Sequence, residues 1–178
     1  APFLQDEIGW SEQQYGNINS AFMIGYALCF LLMGAFVDRI GTKAGYAISV
    51  GLWAIAQAST VLAKSWIGFA LARTGLSIGQ SGNFPVANKV LAEWFPKKER
   101  AFAVGLYNGG SNVGTLLSPL IIPVVVSAFS NDWRAAFLWT LPFSGLWTAC
   151  WLFFYRKPEI HRLVSRRELE YINSDSAL

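Results

Sequence analysis

The 178 residues read as an all-α, polytopic membrane protein with about five transmembrane helices. Three observations predict this. The chain is 53% hydrophobic and only 14% charged, whereas a soluble domain of this length carries about a quarter charged residues. Its apolar residues gather into runs close to the roughly 20 residues that a bilayer core demands. Short polar joints separate these runs, and the basic residues concentrate in alternate joints. Runs this long without period-two alternation are helices, because a spanning backbone in lipid must satisfy its own hydrogen bonds.

In chain order the spans are expected at 18–36, 44–63, 66–87, 102–126 and 135–155. The joints read "VDRIGTK", "KS", "EWFPKKER" and "SNDW". Gly75, Gly79, Gly82 and Pro85 in the third span, and Gly105, Gly109, Gly110, Gly114 and Pro119 in the fourth, suit helices that pack closely or kink. Cys29 and Cys150 lie in apolar runs and read as small buried hydrophobes. The acidic start (Asp6, Glu7, Glu12) lacks the basic region of a signal peptide.

Eleven of the fourteen Lys and Arg residues follow the first, third or fifth span; the opposite side has only Lys64 and Arg134. The positive-inside rule makes the richer side cytoplasmic and the Asn131–Trp133 joint external. Residue 1 then starts outside, so one further helix is expected before it, and the sequence reads as part of a longer chain. After the last span, Ser165 and Glu168 have the spacing of a capping box, with Leu169 and Ile172 at helical spacing. This stretch is either a short amphipathic surface helix or a solvated charged tail.

One permanent cation, Arg73, stands inside a span. A charge at mid-bilayer costs about 2.5–3.5 kcal/mol on insertion scales, so such residues face water, a partner or a ligand. No span contains an acidic residue. Arg73, Ser77, Gln80 and Phe84 share one helical face. Tyr107, Asn108, Ser111, Asn112 and Thr115 form a second polar stripe on the fourth span, and Tyr26 lies midway along the first. These residue types suit a carboxylated, polyhydroxylated ligand. A guanidinium fork takes the carboxylate, and amides and hydroxyls take the other oxygens. The alternatives are structural: Arg73 bonded to carbonyls at a helix break, Asn and Ser as interhelical glue, and Tyr26 as a packing residue.

Nothing points to catalysis. The one histidine, His161, is in the tail; there is no Cys/His cluster, no phosphate loop, and no histidine in a span to activate a serine. A membrane-embedded hydrolase is therefore not expected, nor a metal, a cofactor or a nucleic-acid partner. A structural membrane protein without transport activity is the competing class.

The joint "GAFVDRIGTK" is the most specific stretch. Gly34 permits close helix approach, and Asp38 lies just beyond the membrane face, where an arginine or a helix N-terminus would satisfy it. Gly41 allows a tight reversal, flanked by the basic Arg39 and Lys43. This closely resembles the signature loop between the second and third helices of major facilitator superfamily transporters. There the pattern is Gly, three residues, Asp, Arg, one residue, Gly, and a basic residue within two positions. "NINSAFMIGYAL", "QSGNFPVANKVLAEWFPKKERAFAVGLYNGGSNVG", "NDWRAAF" and "RRELEYI" are similar to the anion:cation symporter branch, above all to bacterial hexuronate transporters. The resemblance runs over residues 4–172.

The resemblance implies helices two to six of twelve. Residues 1–157 would form a partial N-terminal transmembrane bundle and residues 158–178 the start of the central cytoplasmic loop, with the first helix and the C-terminal half as missing partners. It implies an inner-membrane transporter for uptake of an organic anion, most plausibly a hexuronate, by cation (proton) symport with alternating access. The alternatives are a carrier of another sugar acid or carboxylate, or an uncoupled facilitator. Arg73 stands where the branch places a substrate-linked arginine; Tyr26 and the Ser111/Asn112 region are implied more weakly, and Asn108 adjoins them. Gly34, Asp38, Arg39 and Gly41 would form a cytoplasmic gate, the aspartate contacting the other half. Gln80 stands where many members carry glutamate, the position tied to coupling. Glutamine there keeps the shape but cannot titrate, as a natural variant or as an engineered substitution.

Overall fold

The computed structural model describes residues 9–130 and 132–174. Asp6, Glu7 and Asn131 of the expectations above, and the last four residues, lie outside the described residues. Among the described residues every regular element is helical. The elements are α1 (Glu12–Ile40), α2 (Thr42–Thr60), α3 (Trp66–Ser81), α4 (Asn83–Trp94), α5 (Lys97–Ala128), α6 (Trp133–Leu138), α7 (Thr140–Phe154), a 3₁₀ turn (Pro158–Ile160) and α8 (Arg166–Ile172).

Local chemistry sets the boundaries. Ser11 and Gln14 close a capping box at the start of α1, with Ser11 N–H donating to Gln14 Oε1 at 2.8 Å. Gly41 turns the chain from α1 into α2 at φ +87°, a left-handed value that an L side chain resists. Ser65 Oγ accepts from Gly68 N–H at 3.2 Å and opens α3. Pro96, which lacks an N–H, precedes α5. The expected Ser165 cap is present, and Tyr171 of α8 places its ring 4.6 Å from Lys98 Nζ, so this tail segment is a helix resting on the start of α5.

Each of the five expected spans is helical, with two differences. The third is divided at Gly82 into α3 and α4 and runs on to Trp94, while the fifth is divided at Trp139 into α6 and α7. Among the described residues, three helical stretches are long and apolar enough to cross a membrane by themselves: Glu12–Ile40, Lys97–Ala128 and Trp133–Phe154. The other two fall short for visible reasons. α3 has only 16 residues, and α2 has Thr42, Lys43, Ser49, Gln57, Ser59 and Thr60 among its 19.

α3 is the centre of the bundle, packed between α1 and α2. A Cβ on Gly79 would lie 2.4 Å from the backbone nitrogen of Trp53, so the α2 and α3 backbones approach as only glycine permits. Ser49, Thr60, Ser77 and Ser81 are buried along these seams. Each hydroxyl donates to a carbonyl of its own helix, as Ser77 does to Thr74 at 2.7 Å. They pack as small residues and, among the described residues, do not bond across helices.

Aromatic clusters hold the two ends. At one, Trp10, Phe69 and Trp133 are buried together, Trp10 meeting Phe69 edge to face at 5.0 Å. At the other, Trp151 stacks on Tyr155 at 4.0 Å and meets Tyr46 at a tilt at 4.6 Å. There Trp151 Nε1 donates to the Lys43 carbonyl at 3.0 Å. The Glu93 carboxylate accepts from Thr42 Oγ1 at 2.8 Å and from the Tyr155 hydroxyl, tying α2, α4 and the end of α7 together.

Candidate transport site

Arg73 is placed on α3, the most enclosed helix. Its Cζ lies 5.9 Å from the Phe22 ring centroid and 5.8 Å from that of Phe69. Both rings stand at the outer reach of cation–π attraction, which falls off beyond about 6 Å. No carboxylate pairs with it among the described residues. The guanidinium borders a cavity of about 450 Å³ between α2, α3, α5 and the α6–α7 segment. The wall is mainly apolar and aromatic, with Trp133, Phe137 and Trp139; its polar groups besides Arg73 are Gln57, Ser118 and Thr140. Ser118 and Thr140 donate to carbonyls of Gly114 and Phe137 at 2.7 and 3.0 Å, which leaves their oxygens able to accept.

The other expected residues do not join Arg73 in this cavity. Ser77 faces α1, where its Oγ would meet a Cβ on Gly25 at 2.6 Å. Gln80 is half-buried two turns along α3, about 10 Å from Arg73 by helical rise. Tyr26 stands in a row of stacked rings on α1, 6.2 Å from Phe22 and 6.1 Å from Phe30. Phe22 thus links the Tyr26 row to Arg73. Asn108, Ser111 and Asn112 are exposed on α5 and do not border the cavity. Tyr107, on the same stretch, meets Phe84 edge to face at 6.0 Å and lines a smaller pocket together with Asn83 and Tyr46.

Three polar residues in this region were not among the expected ligands: Gln57, Asn83 and Tyr46. Gln57 and Asn83 were detectable in principle, as amides inside otherwise apolar spans. Tyr46 was not, because its role rests on Trp147, whose Nε1 donates to its hydroxyl at 3.1 Å from 101 residues away in sequence.

At the opposite end of α1 the residues expected to form a gate lie at or near the corner into α2. Gly41 makes the expected reversal. Asp38 Oδ1 accepts from Lys89 Nζ of α4 at 2.5 Å, so a lysine takes the place of the expected arginine or helix terminus. Arg39 is exposed. A Cβ on Gly34 would meet nothing within 4 Å, so the close approach expected there is not made among the described residues.

Comparison with known proteins follows the same lines. The profile of the Major Facilitator Superfamily matches residues 1–176. The chain is 42% identical to a galacturonate transporter of Dickeya chrysanthemi, over 98% of this chain and 50% of that protein. It is 38% identical to the hexuronate transporter of Escherichia coli strain K12, over 97% of this chain and 39% of that protein. The chain therefore spans half or less of the length of these curated relatives. Among solved structures it superposes on a bacterial homolog of the human lysosomal transporter Spinster, inward-facing and unoccupied, with a TM-score of 0.68. That likeness covers 88% of this chain and 38% of the other at 24% identity, and it speaks for the fold alone. A helical bundle with apolar spans, matched by the family profile along almost its whole length, makes this chain an integral membrane protein belonging to the Major Facilitator Superfamily.

Proposed function

We propose that the transporter containing this chain takes up an organic anion, a hexuronate such as galacturonate or glucuronate, across the inner membrane by alternating access. Residues 1–157 are its partial N-terminal bundle and residues 158–178 begin the central loop. The reading rests on Arg73: a guanidinium on the central helix, flanked by two aromatic rings, open to a cavity and without a carboxylate partner among the described residues. Placing a cation there is costly unless an anion repays it, and a planar fork matches a carboxylate. Similarity to a galacturonate transporter and a hexuronate transporter favours a sugar acid over other carboxylates.

The polar positions on α1 and α5 fit the same reading. Tyr26 shares an aromatic row with the ring that flanks Arg73, while Asn108, Ser111 and Asn112 offer unburied donors and acceptors for sugar hydroxyls. Coupling to protons belongs to position 80, where glutamine has no proton to exchange. The Gln80 protein binds the anion and accumulates it weakly or not at all. A second reading, an uncoupled facilitator, is favoured by that same residue. Asp38 and Lys89 form a gate element at the cytoplasmic end.

The test is uptake of radiolabelled galacturonate into vesicles containing the full-length protein. Glucuronate should compete and the neutral sugars galactose and glucose should not. Equal competition by a neutral hexose would remove the carboxylate from the reading.

A further inference from the structure

A second cavity, of about 540 Å³, lies at the corner between α1 and α2, against the end of α7. Three cations line it: Lys43 from the first turn of α2, and Arg156 and Lys157 just beyond α7. No acidic side chain is among its lining, and none of the three is in an ion pair among the described residues. Glu93, behind Thr42 and Tyr155 of the wall, already accepts from both, Asp38 is held by Lys89, and Glu159 of the 3₁₀ turn adjoins Ile160 in sequence without lining the cavity. Besides Thr42 and Tyr155, whose hydroxyls are turned to Glu93, the rest of the wall is apolar, with Ile40, Gly41, Ala44, Leu152 and Ile160. From its rim one face of α7 continues with Phe153 and Leu146, seven residues apart and 81% and 64% exposed. Thr140, at the Arg73 cavity, is fourteen residues from Phe154 along α7, so about 20 Å of helix separates the two sites.

We propose that this cavity seats the phosphodiester headgroup of an anionic phospholipid such as phosphatidylglycerol. The three cations hold the phosphate, and one acyl chain descends along the apolar face of α7. Two features select a lipid over a free phosphate ion. The cavity adjoins the end of a membrane-spanning helix, where headgroups lie, and half its wall is apolar, which a lipid glycerol and chain would cover and a free ion would leave in contact with water. Surface cations near anionic headgroups each contribute severalfold to affinity, and three converging on one phosphate give a discrete site.

The test uses the full-length transporter in mild detergent, with bound lipid counted by native mass spectrometry. Dioleoyl-phosphatidylglycerol should be retained in preference to dioleoyl-phosphatidylcholine. The combined K43Q/R156Q/K157Q variant should lower that retention by roughly tenfold or more, while K64Q/R134Q, at the opposite end, should leave it unchanged. Independently of any variant, phosphatidylglycerol and not phosphatidylcholine should slow acetylation of Lys43 and Lys157 in the unmodified protein. Equal retention of the two lipids, unaltered retention by the triple variant, or unprotected lysines would each overturn the site. Displacement of the lipid by millimolar inorganic phosphate would replace it with a simple phosphate site and overturn the lipid assignment.

Discussion

α3 and α5 are built from similar material and end in opposite surroundings. Both mix glycine and serine with aliphatic residues. α3 buries Phe69, Ala72, Leu76, Ser77, Gly79 and Ser81 against its neighbours. α5 is twice as long, yet buries only Ala103, Val125 and Val126, and every residue from 108 to 124 is exposed. On α3 a Cβ at Gly79 would strike backbone at 2.4 Å; on α5 a Cβ at Gly105, Gly109, Gly110 or Gly114 would meet nothing within 4 Å. A small-residue stripe thus permits close approach without dictating it. Where a helix fills the groove, the stripe is a seam. Where none does, its polar members face open space, and Asn108, Ser111 and Asn112 stand free for a ligand or for another segment of the transporter.

The largest expected effect follows from the filled seam. Gly79→Leu forces a branched side chain into the backbone of α2, an overpacking cost on the order of 3 kcal/mol or more. The full-length protein should lose most of its folded yield, read as monodisperse material in detergent. A well-folded Gly79→Leu protein would mean that α2 and α3 are not in backbone contact.

Next comes the other face of α3. Gln80→Glu introduces a group that can take and release a proton. Substrate accumulation in vesicles should then rise with an imposed pH gradient and collapse with an uncoupler, while the Gln80 form responds weakly or not at all. If the Gln80 form already concentrates substrate in an uncoupler-sensitive way, and the glutamate changes nothing, position 80 is not the proton site.

Smaller effects belong to α5. Asn108→Ala, Ser111→Ala and Asn112→Ala each remove about one hydrogen bond, worth about 0.5–1.5 kcal/mol. Each should weaken hexuronate binding by roughly two- to tenfold without lowering the melting temperature. A fall in melting temperature with affinity intact would make them interhelical glue. The smallest change is Gly109→Ala: with open space around it, the alanine should be neutral or should stabilise the helix by up to ~1 kcal/mol. A marked loss of stability would show that α5 is covered in the whole transporter.

The legible part of this molecule is what local chemistry determines. Apolar runs located all five helical stretches, Gly41 marked the corner between α1 and α2, and a lone arginine in an apolar run marked the helix that borders a cavity. The break at Gly82 falls among the glycines and Pro85 that suited a kink, whereas the one at Trp139 was not legible, because that residue is neither glycine nor proline and keeps right-handed helical torsions. Side-chain partners distant in sequence were equally hidden. Lys89 reaches Asp38 across 51 residues and Tyr155 reaches Glu93 across 62. Helical periodicity grouped Ser77 with Arg73, but their neighbours differ: Ser77 packs on α1 while Arg73 opens to the cavity, since spacing alone does not tell which neighbour covers which part of a face.

The carboxylate clamp at Arg73 is tested most directly by isothermal titration of galacturonate into the full-length protein and its Arg73→Lys variant. Lysine keeps the charge and loses the planar, two-pronged donor set. The fork reading predicts normal expression and membrane insertion, with affinity reduced at least tenfold, the cost of about 1.4 kcal/mol or more in lost bidentate bonding. Galacturonate bound by Arg73→Lys as tightly as by the unmodified protein would contradict it.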